Sequence, residues 1–522
     1  MKRIFLILIV LLTLVSISAI SAADNATEII DEVDDDVLDD EIQEDLLAED
    51  IQKDEVKEVS VPEVLKENST DEVNKTASAI TSSKVTGYNT FTTTITFKLT
   101  SDNKPLASKK VSILLNGVTY TKTTDANGQG TLSVNLKTGS YTAKFTYVGD
   151  NMTSDAETTS QVTIKAPTAT KLKLGDKDIN YRQGSKCLFY VKLLTKDGKP
   201  VKNQMVTFRV AGKTYTAKTD KNGVAKIYLN LKKGTHKVKY SFKKTAPYLA
   251  SSGSYKIKVK AKMPKGDGYW VWSAHMKKVN LKSLAKHGTK HIFLHVQSIG
   301  VHGKSAVVSF IKKAHKYGMK VHLWMQICCV GEKWTRPIDS NNKIKYGFLN
   351  KKIAQAKKYA KIKGVDGIHF DYMRFGGTAH LYKDPNRAMN YFAKKASIQI
   401  HKIKPNCIVS GALMPEPSMM TYYYGQDVPT MSKYMDAFLP MVYKGNYHQT
   451  SKWIKSVTKT FVSQSNGAQI WTGLQSYHSD NNAKKLTQKA LLKDAKAAKA
   501  GGAKGIVLFR FGISCNFNFK KV

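Results

Sequence analysis

The chain has little cysteine, no glycine-rich phosphate loop and no long apolar run beyond its N-terminus. Its five cysteines are scattered, as Cys187, Cys328, Cys329, Cys407 and Cys515. This pattern is too sparse for a disulfide framework. Neither a Cys-x-x-Cys pair nor a histidine cluster at ligand spacing occurs, so we expect no metal and no cofactor. Folding must depend on hydrophobic cores, which 522 residues supply in about three domains.

The N-terminus has the pattern of a signal peptide over residues 1–23. Lys2 and Arg3 precede an apolar run, Ile4–Val15, and small residues follow as far as Ala23. The run is short for a bilayer span of about 20 residues. We therefore predict a secreted, cell-surface protein with no further membrane anchor.

Acidic residues are scarce after residue 75. Residues 24–75 hold 21 of the 41 acidic residues and four of the 82 basic ones. With Lys2 and Arg3 set aside, the other 20 acidic and 76 basic residues give residues 76–522 a formal charge of +56. This charge favours anionic partners such as acidic wall polymers, glycans or membrane surfaces, and we expect no nucleic acid. Lysines that only solvate the surface explain the charge almost equally well.

Residues 24–78 combine dense acidic runs with almost no aromatic residues. Such a segment cannot bury enough apolar area to offset the entropy of ordering. It is predicted to be a disordered spacer, with a propeptide that docks on the basic domains as the alternative.

Two copies of one pattern follow, offset by 95 residues, over 79–166 and 167–262. Asp125-x-Asn127-Gly128 matches Asp220-x-Asn222-Gly223, and Asn135-Leu-Lys137 matches Asn230-Leu-Lys232 without a gap. Within each copy, period-two segments alternate with turn signals, which predicts two immunoglobulin-like β-sandwiches. The Asp-x-Asn-Gly segments are read as turns, with calcium binding as the weaker alternative.

These copies resemble the bacterial Ig-like repeats of surface adhesins, including adhesin-like proteins of methanogenic archaea. The resemblance rests on the Lys-Pro…Thr-Asp-x-Asn-Gly pattern. It implies a stalk or a wall-binding module.

Residues 263–522 alternate Lys- and Ala-rich helical stretches with eight short apolar runs. The runs are Gly268–Trp272, His291–Val296, Lys320–Ile327, Gly367–Met373, Ile408–Met414, Asp436–Tyr443, Gln469–Ser476 and Gly505–Phe511. Eight such units in about 255 residues predict a (β/α)8 TIM barrel. An open doubly wound sheet is disfavoured, because the glycine-rich loop typical of that fold is missing.

Active sites of such barrels lie where the strands end, and polar and aromatic residues collect at these positions. Rings with amide and guanidinium donors suit sugars, whereas interior rings that only fill the barrel are the alternative. The predicted substrate-binding residues are Trp272, His295, Gln297, Trp324, Gln326, His369, Arg374, Tyr443, Gln475, Tyr477 and Arg510.

Two carboxylates are the catalytic candidates. Asp371 and His369 point into the barrel if Ile368 and Phe370 pack against helices. Glu416 follows the next strand, so the two acids can flank one bond, as glycoside hydrolysis requires. A structural Asp–Arg pair and a solvent-facing glutamate are the alternatives, and Asp427 is a second choice for the Glu416 role.

The segment Asp366-Gly-Ile-His-Phe-Asp371-Tyr-Met-Arg374 resembles the strand-four motif of barrel-fold glycoside hydrolases that are assigned by sequence. More distant similarity is to the α-amylase superfamily and to chitinases. The resemblance implies that Asp371 is nucleophile or base and that Glu416 is the acid. Where relatives often have Tyr-Pro, this chain has Phe375-Gly-Gly377, and no glutamate follows Asp371 at chitinase spacing.

The sequence therefore predicts a hydrolase of a cell-wall or extracellular polysaccharide, anionic by the charge argument. Pseudomurein, which contains an aminouronic acid, is a candidate substrate on the resemblance to methanogen proteins. The alternative from another class is a carbohydrate-binding adhesin with an inactive barrel. A Cys-His nucleophilic site at Cys328-Cys329 is a further alternative, although a structural thiol pair is the favoured interpretation.

Overall fold

The structure, a computed structural model, describes residues 75–522. The predicted signal peptide and residues 24–74 of the predicted spacer lie outside the described residues. The described chain up to residue 165 forms one compact unit, and residues 166–522 form a second. No helix of the described chain has the length and hydropathy to cross a membrane.

The first unit is a sandwich of two sheets. Its strands are β1 (Ser78–Ser82), β2 (Val85–Tyr88), β3 (Thr93–Ser101), β4 (Lys104–Pro105), β5 (Lys110–Leu115), β6 (Val118–Thr123), β7 (Gln129–Val134), β8 (Gly139–Tyr147) and β9 (Ala156–Lys165). One sheet joins β1, β3, β4 and β7, and the other has the order β2-β9-β8-β5-β6. Alternate residues face inward, as in Ile95, Phe97 and Leu99 of β3, and form one core between the sheets.

The second repeat has the same design. Its strands are β10 (Thr170–Leu174), β11 (Cys187–Thr195), β12 (Met205–Val210), β13 (Lys213–Lys218), β14 (Val224–Leu229), β15 (Gly234–Phe242) and β16 (Ser251–Val259). The sheets have the orders β10-β11-β14 and β13-β12-β15-β16. Strands β12 to β16 each begin 95 residues after their counterparts β5 to β9, so the sequence offset is also a structural one.

The Asp-x-Asn-Gly segments are turns. In the first repeat, Asp125 Oδ1 accepts hydrogen bonds from the backbone N–H groups of Asn127 and Gln129, at 2.8 and 2.9 Å. Asp220 does the same in the second repeat. Gly128 has a φ of 72°, which favours glycine there. The carboxylate oxygens thus cap the turn, as the turn interpretation predicted.

Residues 263–522 form a closed barrel of eight parallel strands. Its strands and two small hairpins are β17 (Gly268–Val271), β18 (His291–His295), β19 (Lys320–Gln326), β20 (Cys329–Val330), β21 (Lys333–Trp334), β22 (Gly367–Asp371), β23 (Ile408–Leu413), β24 (Ala437–Pro440), β25 (Gln469–Gln475), β26 (Tyr477–Ser479), β27 (Asn482–Lys485) and β28 (Gly505–Phe509). The barrel order is β17-β18-β19-β22-β23-β24-β25-β28. Each predicted apolar run contains one barrel strand, which confirms the predicted closure with eight strands.

Helices lie in every connection between consecutive barrel strands of the described chain. They are α1 (Leu281–Lys286), α2 (Gln297–His302), α3 (Lys304–Lys316), α4 (Tyr346–Ala360), α5 (Asn386–Ile403), α6 (Met420–Tyr424), α7 (Val428–Met431), α8 (Ser451–Gln464) and α9 (Gln488–Ala500). Short 3-10 helices are Ser273–Lys278, Ala379–Leu381 and Phe519–Lys521. Apolar faces such as Phe392, Ala396 and Ile400 of α5 pack against the outside of the barrel.

The second repeat is attached to the strand-start end of the barrel by a buried ion pair. Asp436, directly before β24, accepts a hydrogen bond from Arg182 Nε at 2.8 Å and another from Asn180 Nδ2 at 2.7 Å, both on Oδ1. Arg182 Nη2 lies 2.7 Å from the same oxygen, an ionic contact whose angle is not that of a hydrogen bond. Since Arg182 and Asp436 are 5% and 2% exposed, this repeat is part of the barrel's folded unit.

Candidate functional site at the carboxyl ends of the barrel strands

Strand β22 directs its polar residues into the barrel. Ile368 and Phe370 belong to the core between strands and helices. His369 and Asp371 point the other way, and His369 Nδ1 lies 3.0 Å from Ser410 Oγ on the neighbouring strand β23. The alternation predicted from the sequence therefore places Asp371 inside the barrel at its carboxyl end.

Asp371 is a buried carboxylate with two hydrogen-bond donors. Trp324 Nε1 donates to Oδ2 at 3.0 Å, and the backbone N–H of Tyr372 donates to Oδ1 at 2.8 Å. Burial raises the pKa of Asp371, and the Tyr372 and Trp324 bonds and the Arg374 charge oppose that shift. Asp371 forms no ion pair with Arg374 within 4.0 Å in the described chain, so the predicted alternative of a structural Asp–Arg pair is not found.

Glu416 is half-buried rather than solvent-facing. Its Oε1 accepts a hydrogen bond from the Tyr447 hydroxyl at 2.7 Å, whereas Oε2 is buried without a hydrogen-bond partner. Burial raises the pKa of Glu416, and the hydroxyls of Tyr447 and Tyr424 and the charge of Arg374 oppose the shift. The Tyr424 hydroxyl lowers the pKa of Glu416, but it forms no hydrogen bond of normal geometry with Oε2. A raised pKa and an unpartnered oxygen suit a group that donates a proton.

Arg374 connects the two acids. Its positive charge lowers the pKa of both Asp371 and Glu416, which places one guanidinium within electrostatic reach of both carboxylates. The group is held among rings: the guanidinium carbon lies 4.9 Å from the centre of Trp334 and 5.1 Å from that of Tyr372. Asp371 at the end of β22 and Glu416 in the loop after β23 are thus both influenced by one cation.

Two aromatic residues that were predicted to stack on a sugar ring are buried inside the barrel instead. Trp324 and Tyr443 are only 2% and 8% exposed. Trp324 packs on Trp272, with ring centres 4.9 Å apart, and Tyr443 stacks on Phe509 at 5.4 Å. Because other rings cover their faces, a direct stacking role for these two residues is wrong. Trp324 instead supports Asp371 through its indole N–H.

Tyr477 and Gln475 belong to a polar network that the sequence did not reveal. Tyr477 is 5% exposed, so its predicted stacking role is also wrong, and its hydroxyl donates to Asp480 Oδ1 at 2.6 Å. Asn446 Nδ2 donates to Asp480 Oδ2 at 2.7 Å, and Gln475 Nε2 donates to Asn446 Oδ1 at 2.8 Å. The network fixes the loops that follow β24 and β25.

The other predicted residues lie at varied depths. Gln297 is exposed at the first position of α2, so its assignment to the end of a strand is wrong. Gln326 ends β19, level with Asp371 in the strand register. His295 packs between Trp272 and Trp324, at 4.8 Å from each ring. Arg510 follows β28, with its guanidinium carbon 5.9 Å from the centre of Trp272.

Three buried histidines also lie on the barrel strands. His291 Nδ1 and His322 Nε2 are 2.8 Å apart, and both residues and His369 are 0% exposed. Burial lowers the pKa of His291 and His369 to about 3, and that of His322 well below its usual value. These imidazoles are therefore neutral at ordinary pH.

Trp334 and Tyr447 were missed by the sequence analysis. Trp334 lies on the β20–β21 hairpin, is 42% exposed, and packs against Arg374 and Tyr372. Tyr447 lies in the loop after β24. Neither occupies a strand end or a recognisable motif, so strand counting does not find them.

Two further candidates have other roles. Asp427 caps α7, since its Oδ1 accepts from the Thr430 N–H at 3.1 Å. It is therefore a structural residue rather than a second choice for the acid. Cys328 is a free, buried thiol whose pKa is raised by burial to about 12, so it is not a thiolate nucleophile.

Comparison with known proteins gives limited similarity. Residues 173–263, which include most of the second repeat, match the model of macroglobulin domain MG4. No curated protein matches. Among solved structures, a chitinase from Chromobacterium violaceum is 10% identical, with a TM-score of 0.33 over 48% of this chain and 95% of that one.

Two other solved structures have similarly low identities and TM-scores. Bacteroides uniformis β-glucuronidase is 10% identical, with a TM-score of 0.34 over 80% of this chain and 59% of that one. Fibronectin(III)-like modules of Clostridium thermocellum CbhA are 17% identical, with a TM-score of 0.25 over 35% of this chain and 94% of theirs. TM-scores of this size carry no functional argument.

Proposed function

We propose that this chain is a secreted, surface-associated glycoside hydrolase with a TIM-type barrel. The glycosidic bond of a polysaccharide would bind between Asp371 and Glu416, and these two residues would cleave it. The observation that carries the proposal is a pair of shielded carboxylates after neighbouring strands: Asp371, the last residue of β22, is buried, and Glu416, in the loop after β23, has one oxygen buried without a partner. Glycoside hydrolysis needs two such groups, one to protonate the leaving oxygen and one to act at the anomeric carbon.

The environments of the two acids support different roles. Asp371 accepts two hydrogen bonds, which stabilise its ionised form as nucleophile or as base for water. Glu416 has one buried oxygen without a partner, where a proton is available for the glycosidic oxygen. Tyr447 holds the other oxygen and fixes the direction of that transfer.

Substrate binding is assigned to the exposed face of Trp334. The indole is held by Arg374 and Tyr372, and an aromatic face held in place stacks on the apolar face of a sugar ring. The signal-peptide pattern and the Ig-like repeats support a cell-surface location, where the substrate is a wall or extracellular polysaccharide.

The test is release of reducing ends from a panel of wall and extracellular polysaccharides by the full chain. Asp371→Asn and Glu416→Gln are expected to abolish release while circular dichroism stays unchanged. Matched controls are Asp384→Asn and Glu332→Gln, which change exposed acids in loops at the same end of the barrel. The anomeric configuration of the product, followed by NMR, distinguishes a nucleophile from a base.

Polymer binding without release from any member of the panel would overturn the hydrolase proposal. That result would favour the adhesin with an inactive barrel. Release that survives Asp371→Asn would refute the assigned carboxylate.

A further inference from the structure

Arg510 is a cation without a partner at the mouth of the barrel. It is half-buried at the end of β28. Among the described residues, no carboxylate lies within 4.0 Å of its guanidinium, and the group donates no hydrogen bond. Its contact is with Trp272, whose ring centre lies 5.9 Å from the guanidinium carbon.

Two other shielded arginines of this unit have anionic neighbours, whereas Arg387 donates to the backbone carbonyl of Asn342. Arg182 is paired with Asp436, and the charge of Arg374 acts on Asp371 and Glu416. Arg510 has only Asp480 at longer range, and both oxygens of Asp480 are already engaged, by Tyr477 and Asn446. A partly dehydrated guanidinium with no counter-charge is unfavourable unless a ligand supplies the charge.

We propose that Arg510, held by Trp272, is a subsite for the carboxylate of an acidic sugar, a uronic acid unit of the polysaccharide. Guanidinium suits this role because its parallel N–H groups match the two oxygens of a carboxylate. The inference rests on the proposed function for the neighbouring catalytic pair and adds the chemical class of the substrate.

The subsite is next to the catalytic acids but separate from them. Trp272 contacts Trp324, with ring centres 4.9 Å apart, and Trp324 donates to Asp371. The contacts run from the guanidinium to the Trp272 ring, then to Trp324 and then to Asp371, so we assign the carboxylate to the bound sugar and not to the reacting atoms. Arg510 is a binding residue, and its loss acts on affinity.

The first measurement is binding of D-galacturonate against D-galactose, and of D-glucuronate against D-glucose, to the full chain at low ionic strength by NMR titration. At least one uronate is expected to bind about tenfold or more tightly than its neutral partner, as a charge-assisted hydrogen bond gives. Arg510→Gln is expected to remove the preference, and Arg510→Lys to keep part of it. Arg209→Gln, an exposed arginine of β12 without an ion pair in the described chain, is the matched control.

Equal binding within both sugar pairs, or a preference that survives Arg510→Gln, would overturn the subsite. Tighter binding of galactose 6-sulfate than of galacturonate would overturn the carboxylate assignment in favour of a sulfated sugar. These titrations need no hydrolysis. They are therefore repeated with Asp371→Asn, so that binding is measured apart from cleavage. Uronate binding through Arg510 without cleavage of any polymer would refute only the hydrolase proposal. Asp371-dependent cleavage that is equal before and after reduction of the polymer's carboxyl groups would refute only the subsite.

Discussion

Arg182 lies in the second repeat, outside the barrel. Breaking its buried pair with Asp436 is nevertheless expected to destabilise the barrel. Arg182→Met leaves the Asp436 carboxylate buried with Asn180, His401, the Val409 N–H and the more distant charge of Lys260 as its remaining partners. Loss of one member of a buried ion pair costs about 3–5 kcal/mol, because the other charge stays uncompensated. Asp436→Leu is expected to cost a similar amount, since it leaves the guanidinium buried.

The assay is urea unfolding followed by tryptophan fluorescence. All six tryptophans lie between Trp270 and Trp471, so the signal reports the barrel alone. The double variant Arg182→Met/Asp436→Leu is expected to cost less than the sum of the single changes, by about 2 kcal/mol or more, because apolar pairs replace buried ion pairs at small cost.

Arg209→Met is the matched control, since Arg209 is exposed on the same repeat. Its effect is expected to lie within about 0.5 kcal/mol, as for most surface changes. A fluorescence transition that Arg182→Met shifts no more than Arg209→Met does would refute the reasoning. The repeat would then unfold independently of the barrel.

Three further predictions concern acid stability and the site. Since burial lowers the pKa of His291 and His369 to about 3, protons bind the unfolded chain first as pH falls below about 6.5. Stability present above that pH is then expected to fall by about 3 kcal/mol per histidine at pH 4.5, and urea midpoints that stay constant from pH 7 to 4.5 would contradict this. Tyr447→Phe removes a donor that lowers the pKa of Glu416, so the basic limb of the kcat/KM profile is expected to move to higher pH, whereas an unmoved limb would count against Glu416 as the acid. Trp334→Ala is expected to raise KM about tenfold at unchanged kcat, while Trp334→Tyr keeps most of the affinity; a loss confined to kcat would exclude the platform role.

The local pattern of the sequence determined the elements. The 95-residue offset predicted two equal sandwiches, because each strand needs period-two alternation and each reversal needs a turn residue such as Gly128 or Gly223. The eight apolar runs predicted the eight barrel strands, since strands buried on both faces have nearly continuous apolar sequences. The same period placed His369 and Asp371 inside.

Tertiary structure alone decided which side chains meet. Burial of Trp324 and Tyr443 depends on rings from other strands, and the Tyr447 hydroxyl reaches Glu416 from a different loop. The attachment of Arg182 to Asp436 spans 254 positions in the chain. Periodicity fixes the direction in which a side chain points. Its partners are set by closure of the barrel and by packing of the repeat, and these bring together residues that are far apart in the sequence.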